Sequence, residues 1–168
     1  MDHYQLAKLI ACSGRLESRK RLQKVVFLLQ VSGCPYTAEF TLHHYGPYSE
    51  ELARLTDEMV RNSLLLETSS SNGFGQQYSY TLPPAVEEQL RVMEDTPEGR
   101  VRAAEIMPFA EKLTAYLAAD LKKLEYASTI VYFRRQGFEW PIAVDKAATF
   151  KRTQAVLDAL ALAKTAIT

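Results

Sequence analysis

Three stretches of helical periodicity come first, a hairpin pattern follows directly on the third, and helical pattern then continues to the end of the chain. This order predicts a mainly helical α+β fold: a winged-helix-like N-terminal module with a small antiparallel sheet, wrapped by C-terminal helices. The module is expected over residues 1–94. Residues 95–168 are expected as a helical extension packed on it, or as part of one common domain.

Leu6, Leu9 and Ile10 recur at helical spacing, and Ser13-Gly14 supplies a stop. Ser18 is placed to cap a second helix, in which Leu22, Val25, Val26 and Leu29 form a stripe. Phe27 and Leu28 widen that stripe, so this helix is expected to be central and buried on more than one side. Ser32-Gly33 ends it. Phe40–His44 alternates as a short strand, which Gly46-Pro47 is expected to stop. Ser49 opens a third helix to Asn62, with Leu52, Leu55 and Met59 on one face. Glu50 and Glu51 lie in its first turn, where the helix dipole favours negative charge.

Leu64–Thr68 and Tyr78–Leu82 read as the two strands of a hairpin. Between them, Asn72-Gly73 and Gly75 offer positions that tolerate positive φ. Pro83-Pro84 starts a fourth helix carrying Val86, Leu90 and Met93. Asp95–Gly99 is the best boundary candidate. Beyond it Ile106, Phe109, Leu113, Leu117, Leu121, Leu124, Ser128 and Val131 form one nearly continuous stripe, which Pro108 can only kink or start. Gly137 ends it, Trp140-Pro141 begins a new segment, and a last helix holds Phe150, Leu157 and Leu160.

The 168 residues carry twenty basic and twenty acidic side chains, and 47% are hydrophobic. That apolar fraction suffices for a core, and the zero net charge argues against both a dominant phosphate-binding field and a disordered polyelectrolyte. Charge is not segregated either. Residues 1–92 carry nine basic and ten acidic side chains, and the remainder eleven and ten. The first residues are too polar for a signal peptide, and no apolar run is long enough to span a membrane, so a cytoplasmic protein without membrane attachment is expected. Cys12 and Cys34 are expected to be reduced packing residues.

RLQKVVFLLQ at Arg21–Gln30, HHYGPYSEEL at His43–Leu52 and YSYTL at Tyr78–Leu82 together resemble the YwgA-like family of bacterial proteins. They are also similar to the Panacea antitoxin-type domain, which has a similar helix start and a similar Tyr-Gly-Pro corner. LEYASTIVYFRRQG and KAATFKRTQAVLDALA resemble the family's closing helices more loosely. The resemblance implies a winged-helix-like core wrapped by helices, in bacterial or archaeal cytoplasm. It implies action by binding a protein or regulatory target, and it brings no catalytic residues.

A winged helix raises DNA binding first. Recognition needs a helix that enters the major groove with basic or amide side chains. The third helix instead sets Glu50, Glu51, Asp57 and Glu58 against Arg54 and Arg61, and the SSSNGFGQQ wing has neither Lys nor Arg. Sixteen residues, Gly33 to Tyr48, separate helices two and three, whereas a helix-turn-helix uses a turn of about three or four. Arg15, Arg19, Lys20 and Arg21 are the candidates for a phosphate grip, and a solvated helix start is the plainer reading of them. Adjacent strand residues point to opposite faces, so His43-His44 cannot chelate one ion, and one of the two is expected in the core. No metal site and no cofactor are expected, since Cys12, Cys34 and His3 lack ligand spacing. Gly73-Phe74-Gly75 is a lone GxG without a following helix, and no serine or cysteine sits in a nucleophile motif.

Tyr45, Tyr48, Tyr78 and Tyr80 gather near the corner and the sheet. Tyrosine gives large contact area at low entropic cost, so an exposed set suits a protein interface, while packing against the C-terminal helices is the plainer alternative. The expected function is a non-enzymatic regulator that binds another protein, antitoxin- or adaptor-like, with Tyr45, Pro47, Tyr48 and His43 as the contact site. A homodimer is compatible with this. The alternative is a winged-helix DNA-binding transcription regulator.

Overall fold

The computed structural model describes residues 1–72 and 75–167. Among them the helices are α1 (His3–Ser13), α2 (Arg19–Val31), α3 (Glu50–Arg61), α4 (Pro84–Glu94), α5 (Pro97–Ile106), α6 (Ala110–Ala118), α7 (Leu121–Arg135), α8 (Trp140–Lys151) and α9 (Leu160–Lys164). The strands are β1 (Leu16–Glu17), β2 (Thr41–His43), β3 (Gly46–Tyr48), β4 (Leu66–Asn72) and β5 (Gly75–Thr81). The fold is mainly helical α+β with small antiparallel sheets, as the sequence predicts.

Helix starts follow local chemistry. Asp2 and Gln5 close a reciprocal capping box on α1, each side chain accepting from the other's backbone N–H. Ser18 Oγ accepts from Lys20 N and Arg21 N to start α2. Ser49 caps α3. Every side chain from Leu22 to Leu29 is buried, so α2 is central and covered all round. α7 is its counterpart, buried from Leu124 to Val131, and it lies against α2, α8, α9 and β3. One cluster of buried residues runs from Leu6 and Ile10 through α2 to α7 and Ala163.

Four local expectations differ from the structure. β1 was not foreseen; its two residues pair antiparallel with β5, Leu16 opposite Tyr80, in the order β1-β5-β4. Gly46-Pro47 does not stop a strand. It forms the return strand of a tight hairpin, with Leu42 opposite Pro47 and His43 opposite Gly46. In a two-stranded sheet both strands are edges, so proline costs no ladder bond. The stripe from Ile106 to Val131 is not one helix either. A 3-10 turn at Met107–Phe109 separates α5 from α6, and Asp120 caps a fresh start at α7 by accepting from Lys122 N and Lys123 N. The stripe continues across these breaks because all three helices face one core. The last stretch likewise divides into α8, a 3-10 turn at Gln154–Ala159, and α9. The Asn72-Gly73 turn and the Gly73-Phe74-Gly75 run fall on residues 73 and 74, outside the described residues.

Candidate functional site

The β2–β3 hairpin is held against the protein by three polar clamps. Gln23 of α2 forms a two-way amide clasp with Ser49, donating Nε2 to its carbonyl (3.0 Å) and accepting from its N–H (2.8 Å). Lys24 Nζ donates to the Pro47 carbonyl at 2.6 Å. Lys151 Nζ, from the end of α8, donates to the His44 carbonyl at 2.7 Å and to Glu125 Oε1 at 2.6 Å. Gly46 has φ +90°, and a Cβ there would lie 2.9 Å from Thr129 Oγ1. Glycine is therefore required both by backbone conformation and by the closeness of α7.

Beneath the hairpin the charges are unusual. Lys24 is only 2% exposed. Burial pushes its ammonium down to about 8, with Glu125 resisting and Lys151 and Lys20 adding to the fall. Lys151 is lowered as well, by burial first, against the hydrogen bond it donates to Glu125. Glu125 thus pairs directly with Lys151 and acts through space on the buried Lys24.

Between the hairpin, α2 and α3 lies a cavity of about 340 Å³. Arg19, Lys20, Gln23 and Lys24 line one wall; His43, Tyr45 and Tyr48 the hairpin side; Thr56 and Asp57 the α3 side. Tyr80 closes the sheet end. The structure brings His43, Tyr45 and Tyr48 together here with Arg19 and Lys20, residues that the two functional readings assigned separately. Tyr45 is 50% exposed, Tyr48 and Tyr78 are half-buried, and Tyr80 is fully buried. Pro47 is buried and contributes its carbonyl to Lys24. Burial, followed by the nearby Glu50 and Asp57, raises the Tyr48 phenol.

His43 and His44 are both exposed, which corrects the expectation that one enters the core. The turn at His44 and Tyr45 lies between the paired residues His43 and Gly46, so both rings stay outside: His43 stacks on Tyr48 at 5.0 Å, and His44 meets Tyr45 edge-on at 4.9 Å. Cys34 is buried, whereas Cys12 is exposed rather than packed. Among the described residues no three His, Cys, Asp or Glu side chains converge as metal ligands, and no helix is long and apolar enough to cross a membrane.

The basic residues before and within α2 have separate duties. Arg19 makes a bidentate bond to Glu67, with contacts of 2.8 to 3.2 Å, and donates to Tyr80 Oη at 3.0 Å. Arg21 donates to the carbonyls of Tyr116, Leu117 and Ala119, which closes the C-terminus of α6. Arg15 is exposed, 3.8 Å from Glu17. Lys20 Nζ stands 3.4 Å from the centre of the Tyr45 ring.

Sequence reasoning did not single out Gln23, Glu125 or Lys151, and it read Lys24 only as the last of the basic cluster that begins at Arg15. A signal was present for Lys24, which directly precedes the unbroken apolar run Val25–Leu29, whereas Glu125 follows Lys122 and Lys123 and precedes Ser128 and Thr129, so nothing marks it. No protein-family model matches the chain. Over 155 residues it is 29% identical to a protein of Bacillus subtilis (strain 168) named uncharacterized protein YwgA, covering 91% of this chain and 86% of that protein. This relative supports the likeness to the YwgA-like family first drawn from Arg21–Gln30 and His43–Leu52.

Proposed function

We propose that the chain is a non-enzymatic regulatory protein, antitoxin- or adaptor-like, that binds another protein through the Tyr45-rimmed cleft. In this reading α1 to α3 and the β4–β5 hairpin form a winged-helix-like module over residues 1–94, and residues 95–168 form its helical cover. The pairing of β1 with the return strand of the hairpin supports the winged-helix comparison.

One observation carries the contact reading. Arg19 and Arg21 are occupied inside the protein, while Tyr45 stands half exposed over a clamped cavity beside His43 and Tyr48. A rigid aromatic on a preorganised rim is the usual anchor of a protein interface. The DNA-regulator reading rests on the order of helices and hairpin. It needs free cations along a groove-facing helix, and α3 presents four acidic side chains against two basic ones.

Replacing Tyr45 with p-benzoylphenylalanine and irradiating living cells tests the reading. A discrete protein adduct is expected from position 45, and none from the exposed position of Val92 on α4. Absence of any protein adduct, together with retention of duplex DNA at near-physiological salt, overturns it.

A further inference from the structure

We propose that the cleft receives an acidic segment of the partner protein. An aromatic or large aliphatic side chain sits between Tyr45 and Tyr48, and a neighbouring carboxylate meets Lys20. This rests on the protein-contact reading and names the chemistry of the partner.

Size and lining set the first half of the proposal. A cavity of about 340 Å³ lies near the lower end for specific ligand sites and has room for one or two side chains. Leu22, Ala53 and the rings of Tyr45 and Tyr48 give it apolar walls, with the buried Tyr80 at the sheet end. Gln23 and Lys24 hold its hairpin side in place, so little conformational freedom is lost on filling it.

Charge sets the second half. Arg19 is answered by Glu67 and, at 4.0 Å, by Asp57. Lys151 is paired with Glu125, which also acts through space on Lys24. Lys122 of α7 adds a further positive charge close enough to act on Lys151. Lys20 meets the Tyr45 ring and stands exposed at the rim. Of these lysines Lys20 and Lys24 line the cleft, Lys151 is paired with Glu125, and Lys20 lowers both Lys24 and Lys151. An incoming carboxylate relieves that repulsion and uses a lysine already oriented by a tyrosine face. The opposite wall limits the anion to a short one. Asp57 lines it, and Glu50, Glu51 and Glu58 lie along the same helix, so a continuous polyanion is repelled where a single acidic side chain is not.

The test screens a phage-displayed library of random peptides against the intact chain, then measures the enriched sequences as synthetic peptides by fluorescence anisotropy. Enriched peptides are expected to carry Asp or Glu within two residues of Phe, Tyr, Trp or Leu. Lys20→Glu and Tyr45→Ala are each expected to weaken binding about tenfold or more, with Lys20→Arg retaining most of it and added salt lowering it. Circular dichroism checks that each variant is folded. Enriched peptides without an acidic bias, or binding unchanged in Lys20→Glu, overturn this inference and leave the protein-contact reading standing. No enriched peptide, with duplex DNA binding in its place, overturns both.

Discussion

Lys24 places an ammonium in a helix whose neighbours from Leu22 to Leu29 are all buried. Its value of about 8 in the folded protein lies below the 10.5 of a free lysine, because burial disfavours the charged form. The unfolded chain therefore holds more protons between those two values, and stability rises with pH across that window. Below about pH 8 the cost of the interior charge is present in full, on the order of 3 kcal/mol. Lys151 contributes in the same direction, whereas the raised phenols of Tyr36 and Tyr80 act in the opposite direction at more alkaline pH. Lys24→Met isolates the effect. Urea denaturation from about pH 7.5 to about pH 10 should show the wild-type chain gaining stability relative to Lys24→Met as pH rises. A constant difference between the two would assign the titration elsewhere.

Arg21 shows how an element can depend on a distant side chain. Its guanidinium satisfies three carbonyls at the end of α6, more than ninety residues along the chain, and a helix end of this kind otherwise leaves acceptors unpaired. Arg21→Ala should cost about 1.5–3 kcal/mol and speed amide exchange in α6. Arg21→Lys should recover only part, since an ammonium cannot reproduce the planar fork. Equal stability of all three chains by thermal melting would contradict this role. The basic cluster at Arg19–Arg21 was visible in the sequence, but its bonding was not, because each arginine finds its partner in a segment far along the chain. The helices were legible because their apolar stripes follow local periodicity, and the caps at Ser18 and Ser49 were equally local. The break between α6 and α7 was hidden, since both helices turn apolar faces to one core, although Asp120 marked it. β1 has only two residues and no period to read. The hairpin was half legible: Gly46 required a special backbone, but its reason, Thr129 on α7, lies outside the motif.

At the scale of the whole molecule, α2 ties residues 1–94 to residues 95–168 through its contacts with α6 and α7. It is enclosed on every side, and α7 supplies much of the enclosure. Removing residues 95–168 should therefore leave the apolar side chains of α2 facing water, each at a cost of about 1.5–3 kcal/mol. A fragment of residues 1–94 is expected to bind a hydrophobic dye and to unfold without a cooperative transition, whereas the intact chain shows one. A sharp melt for the fragment would show that the module stands alone. The bond from Lys151 to the His44 carbonyl spans 107 positions. On a translating ribosome, residues 43–48 emerge long before Lys151 does. More than a hundred further residues must be made before the hairpin receives the clamp from Lys151. A product terminated just before Lys151 would carry every residue that lines the cleft and still lack the bond that completes its clamping.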